Sequence, residues 1–79
     1  MNIVEKAKQF IYKEDFNRKW ESLFENGETQ SAKIIYCLWL ESHTNERLKY
    51  LIKKNRKNMP ELLYRGLFGV CNFNQIETY

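Results

Sequence analysis

The sequence predicts a mainly α-helical fold, a small bundle of three to four helices with a short C-terminal strand or hairpin, and three observations lead there. Apolar residues recur at three- and four-residue intervals through much of the chain, the spacing of one face of a helix. Seven apolar residues in a row, Ile34 to Leu40, call for an element contacted from several sides. Hydrophobic residues make up 43% of the 79 positions and aromatics 15%. That supplies the dense core a short chain needs against a conformational entropy of about 1.5 kcal/mol per ordered residue. No repeat, linker or low-complexity tract interrupts the chain, so residues 1–79 are read as one small helical domain.

The elements follow in order. Ile3, Val4, Ala7, Phe10 and Ile11 form one amphipathic stripe, and Phe16, Trp20, Leu23 and Phe24 form a second in a displaced phase. Two short helices or one bent helix result, with Asp15 between them as an N-cap. Glu25, Asn26 and Gly27 end this part, because glycine takes the left-handed conformation that closes a helix. Thr29 or Ser31 caps the next helix, which carries the run Ile34 to Leu40. A buried strand competes for so short an apolar run, but Ala32 and Lys33 before it, and the lack of turn residues until Ser42, favour a helix.

Ser42, His43, Thr44 and Asn45 offer several capping side chains and mark a break. Leu48, Leu51 and Ile52 then make a narrow stripe, with Lys49, Lys53, Lys54, Arg56 and Lys57 on the remaining faces. Met59 precedes Pro60 and is pushed out of helical geometry, which sets a boundary at residues 57–59. From Leu62 to Phe73, two glycines penalise a helix by about 1 kcal/mol each, while Tyr64, Phe68, Val70 and Phe73 suit a pleated surface. A strand or hairpin is expected there, with a helix as the alternative.

Charge and motifs exclude several classes of function. The net charge of +3 is uneven: residues 1–30 hold five basic and six acidic side chains, residues 31–58 seven and two, residues 59–79 one and two. This balance rules out mimicry of DNA by a carboxylate surface. Two cysteines, Cys37 and Cys71, and the single His43 are too few for a zinc site or a disulfide framework, so both thiols are expected to be buried as small hydrophobes. His43 lies in a polar junction without a nucleophile or carboxylate partner in sequence, and a surface or capping role is expected. No glycine loop of the phosphate-cradling kind is present. No apolar run approaches 18 residues, and MNIVEKAKQF carries charges where a signal peptide needs an apolar region. A soluble intracellular protein, without membrane insertion, is expected.

A resemblance comes from the element order and from one motif. An N-terminal helical portion, the stretch YCLWLESHTNERLKYLIKKNRKN, a proline and then LLYRGLF are similar to the N-terminal part of the phage mono-ADP-ribosyltransferases of the T-even type. The resemblance implies a first strand carrying Leu63, Tyr64, Arg65 and Gly66, with Arg65 holding the phosphates of NAD. A planar guanidinium suits that task because it binds phosphate oxygens bidentately. Activity is not implied, because only 14 residues follow Arg65 and the family's serine, threonine and catalytic glutamate lie much further along. Gln75, Ile76 and Glu77 spell Gln-x-Glu at the wrong distance. One charged contact contributes about 1.5–3 kcal/mol, whereas even millimolar binding needs about 4 kcal/mol, so Arg65 alone does not hold NAD.

The expectation is therefore a non-enzymatic factor without catalytic, metal or cofactor residues, which binds another protein. Short length, Lys- and Asn-rich composition and the resemblance suggest a phage-encoded factor that inhibits or redirects a host protein. Tyr, Trp and Arg dominate interface hot spots, and Lys49, Lys53, Arg56, Tyr64, Arg65 and Phe68 are the expected partner-binding residues. A truncated ADP-ribosyltransferase-like domain is the first alternative. A small DNA-binding regulator is the second, suggested by the basic helix from Arg47 to Lys57. Against it, the turn before that helix lacks the glycine of a helix-turn-helix, and a solvated face is the ordinary meaning of such a run.

Overall fold

The computed structural model describes residues 2–25, 27–70 and 73. The chain enters its first helix at Asn2, whose side-chain oxygen accepts from the Glu5 N–H at 2.8 Å. This helix, α1 (Ile3–Tyr12), buries Ala7 and Ile11 and sets Ile3 and Phe10 against the edge of the core. It closes on Glu14, which lies in the left-handed region at φ 55°. The Asp15 N–H donates to Phe10 O at 2.8 Å and the Glu14 N–H to Ile11 O at 2.9 Å, a paired closure that satisfies the last carbonyls of the helix.

The reversal leads into α2 (Lys19–Phe24), so of the two expected outcomes, two short helices or one bent one, the first is found. Asp15 does not cap the second one. Asn17 Oδ1 accepts from the Lys19 N–H instead, while the Asp15 carbonyl accepts the Trp20 indole N–H at 2.8 Å. Trp20 is fully buried among Phe10, Phe16 and Phe24, with ring centroids 5.5, 6.1 and 6.0 Å away.

Gly27, at φ 102°, turns the chain into α3 (Glu28–Ser42). The helix starts before Thr29 and Ser31, so neither is its cap. Ser31 donates its hydroxyl to Gly27 O, and Gln30 Nε2 donates to Leu23 O at 2.9 Å, which ties α3 to α2. Ile34, Ile35 and Leu38 are buried, and α3 meets α1, α2 and α4 (Glu46–Lys54). The run Ile34 to Leu40 is thus a central helix, but its covering is incomplete: Tyr36 is 54% exposed and Leu40 51%.

Asn45 caps α4, accepting from the Leu48 N–H at 3.0 Å, and its amide donates to Tyr12 Oη at 2.9 Å on α1. Leu48, Leu51 and Ile52 are buried, as their spacing predicts. Among the described residues, ion pairs join distant parts of the chain, Lys54 to Glu14 at 3.2 Å and Lys8 to Glu41 at 3.1 Å. The hydrogen bond to Glu41 holds the Lys8 pKa above the ordinary lysine value despite partial burial. A raised lysine pKa contributes stability that is present below the unfolded value and lost as pH rises through the folded one. Lys8→Met is expected to lower stability at neutral pH by less than about 1 kcal/mol, with the difference from wild type vanishing in strong alkali, read from urea midpoints across pH.

The C-terminal portion differs from expectation. No strand or hairpin is present among the described residues; five α-helices are, rather than three or four. After a 3₁₀ turn at Arg56–Asn58, Met59 is extended before Pro60 as predicted, and α5 (Glu61–Arg65) runs into a wide π-helical turn, Gly66–Val70. Leu63 and Leu67 are both fully buried while Arg65 midway between them is exposed, which a helical segment allows and an extended strand, whose residues two apart share a face, does not. Their burial outweighs the glycine penalty. Gly66 is not a hinge here: a Cβ at this position would lie 2.6 Å from both Cδ1 and Cγ2 of Ile35, so its bare Cα lets the segment press onto α3.

Candidate functional site

Helix α5 separates two surfaces, and the six expected partner-binding residues divide between them. Arg65 lies on the side that faces α3. Its guanidinium is 3.3 Å from Glu61 Oε1 one turn back, and both side chains are about three-quarters exposed. An ion pair in that setting contributes little to stability, and Arg65 remains available to a partner. Arg65 is exposed and stands on a helix, not on the strand that the resemblance implies.

Beside Arg65 an open hollow of about 700 Å³ lies between the start of α3 and α5. Phe24, Ala32, Ile35, Tyr36 and Leu62 give it an apolar lining, and Gly66 brings its two walls together. Leu62 is 46% exposed. A second hollow of about 720 Å³ lies further along α3, where Leu40 meets Val4 and Cys37. Cys37 is half-buried and makes no disulfide, so it is less enclosed than expected; Cys71 falls outside the described residues. Tyr36, which lines the first hollow, and Leu40, which lines the second, stand one turn apart on α3 and are both more than half exposed.

On the other flank of α5, Tyr64 stacks on Phe68 at 5.2 Å and Phe68 meets Phe73 at 5.0 Å. The Lys53 ammonium lies 5.7 Å from the Phe73 ring, so this aromatic chain connects α5 to α4. Tyr64, Phe68 and Lys53 are thereby brought together. Lys49 sits one turn before Lys53, and exposed Arg56 lies in the 3₁₀ turn beyond it.

His43 is the C-cap of α3, with its Nδ1 2.9 Å from Trp39 O, in keeping with a capping role. Trp39 packs edge-on against the His43 ring at 4.4 Å, and its own indole Nε1 is buried without a hydrogen-bond partner among the described residues. Among the described residues no three His, Cys, Asp or Glu side chains are grouped as metal ligands, and no helix is long and apolar enough to cross a membrane. The Gln75 to Glu77 triplet lies outside the described residues. The strand that the resemblance implies for Leu63 to Gly66 is a helix here.

Sequence reasoning missed Tyr36, Leu40 and Leu62. For Tyr36 and Leu40 the one available signal was the length of the run Ile34 to Leu40, which carries apolar residues around the whole helix; for Leu62 there was none. No family model, curated protein or solved structure matches this chain.

Proposed function

We propose that this chain is a non-enzymatic factor that docks another protein on the outward face of α3 and in the hollow between α3 and α5. One observation supports the reading above others. The helix at the centre of the fold leaves Tyr36 and Leu40 more than half exposed, beside an apolar hollow that Leu62 closes from α5. Single exposed apolar side chains are ordinary on any protein; a pair of them one turn apart beside an apolar hollow, on a domain this small, marks an interaction surface.

The partner element that fits is an amphipathic helix whose apolar side enters the hollow. Arg65 at the rim would pair with a carboxylate of that helix, exchanging its exposed contact with Glu61 for a more sheltered one. The setting proposed is that of a phage-encoded factor that inhibits or redirects a host protein in the bacterial cytoplasm. It rests on the short, Lys- and Asn-rich composition and on the resemblance carried by Leu63, Tyr64, Arg65 and Gly66.

A photoreactive phenylalanine analogue at Tyr36 tests the reading in cells, with the same analogue at Lys57 on another face as reference. One cross-linked protein at Tyr36 and none at Lys57 is expected, and Leu62→Asp or Leu40→Asp should each reduce its capture at least tenfold while leaving the helical circular dichroism intact. Equal capture by both aspartate variants would move the contact away from α3.

A further inference from the structure

The basic charge of α4 and its 3₁₀ turn shares its segment with an exposed ring, Tyr50, although the Arg47 guanidinium leans to the Tyr12 ring at 5.9 Å and the Lys53 ammonium to Phe73 at 5.7 Å. Tyr50 is 62% exposed, the largest exposure among the big apolar and aromatic side chains of the described residues. On a helix the surface neighbours of a residue stand three and four positions away. For Tyr50 these are Glu46, Arg47, Lys53 and Lys54, three of them cations, and the Lys54 ammonium lies 6.0 Å from the Tyr50 ring centre.

Ordinary helix chemistry accounts for part of this charge. Lys53 and Lys54 sit in the last turn, where the macrodipole favours cations. Arg47 stands in the first turn, where the same dipole opposes it, and Lys49 lies at the middle. Arg56 and Lys57 follow in the 3₁₀ turn. From Glu46 to Asn58 six cations face one carboxylate of their own segment, and Glu14 of the α1–α2 turn neutralises Lys54 at 3.2 Å. Lys49, Arg56 and Lys57 meet no carboxylate among the described residues.

We infer that this face binds single-stranded nucleic acid, with Tyr50 as a stacking platform for a base and the surrounding cations holding the phosphate backbone. An aromatic ring among cations is what such binding requires, because every base presents a π-face while the backbone supplies charge at each step. An acidic protein surface would also use the cations, so dependence on the Tyr50 ring together with competition by a polyanion that has no bases separates the two. The docking face on α3 is a separate surface, so either can fail without the other.

Fluorescence anisotropy of a labelled 20-residue oligothymidylate, followed from 50 to 200 mM salt, is the test. The expected plot of log K against log salt has a slope of about −2 to −4, from roughly 0.7 per neutralised phosphate and three to six contacts. Tyr50→Ala is expected to weaken binding about 5- to 150-fold and Tyr50→Phe to restore most of it. The triple change Lys49→Ala, Arg56→Ala, Lys57→Ala should flatten the slope by about 2. Absence of salt-dependent binding would overturn the inference. So would binding to Tyr50→Ala equal to wild type with polyglutamate competing as well as the oligonucleotide, which would assign the face to acidic protein. Tighter binding to duplex than to single strand would overturn it as well.

Discussion

Trp20→Ala is expected to remove about 3–5 kcal/mol of folding free energy, the largest loss from any single side chain here. Trp20 is fully buried and its ring is the shared contact of Phe10, Phe16 and Phe24, so deletion leaves a cavity bounded by three rings. Those rings come from α1, α2 and the loop between them, and they cannot all move inward while the paired closure at Glu14 holds the reversal. The Asp15 carbonyl also loses the indole N–H that it accepts at 2.8 Å. Stability of about 0.05–0.15 kcal/mol per residue amounts to roughly 4–12 kcal/mol for this chain, so the substitution takes much or all of it. Trp20→Phe retains most of the packing and leaves the carbonyl unpaired, at about 1–3 kcal/mol. Urea denaturation followed by far-ultraviolet circular dichroism separates these outcomes. A Trp20→Ala midpoint close to wild type would show that the aromatic cluster does not organise the first half of the fold.

Gly66→Ala is expected to destabilise the protein by about 1–3 kcal/mol, although alanine is the better helix former by about 1 kcal/mol. The new methyl would meet Cδ1 and Cγ2 of Ile35 at 2.6 Å. Rotation about χ2 can carry Cδ1 away, but Cγ2 is fixed to a β-branched carbon inside a helix and moves only with χ1 or the backbone. A double-mutant cycle isolates this contact. Ile35→Ala by itself leaves a cavity at about 2–5 kcal/mol, and adding Gly66→Ala to it should be neutral or stabilising, because the clash is gone and the propensity gain remains. Additive costs in the double variant would mean that α5 and α3 are not pressed together at this point.

Much of the fold can be read from local signals. The break at Ser42 to Asn45, where Asn45 proves to be the cap, the stripe Leu48, Leu51 and Ile52, and the boundary before Pro60 each depend on residues within one or two turns, and all three appear as expected. The last helix escaped because its reason is not local. Leu63 and Leu67, and Tyr64 and Phe68, have helical spacing, yet Gly66 and Gly69 beside β-favouring residues argued for a strand. Gly66 is explained by Ile35 on another helix, which no window around the glycine contains. The candidate surfaces were hidden for the same reason. LLYRGLF reads as one aromatic patch around an arginine, whereas the helix sends Leu62 and Arg65 to one flank and Tyr64 and Phe68 to the other.

The positions of the two tryptophans turn the molecule into its own optical instrument. Trp20 is sealed among three phenylalanine rings, and its emission reports only whether the core is intact. Trp39 lies 6.1 Å from Tyr36 at the edge of the apolar face and touches His43, so its emission answers to what covers that face. Replacing Trp20 with phenylalanine leaves Trp39 as the one tryptophan in the chain, and occupancy of the face then becomes a colour and intensity that can be followed without a label.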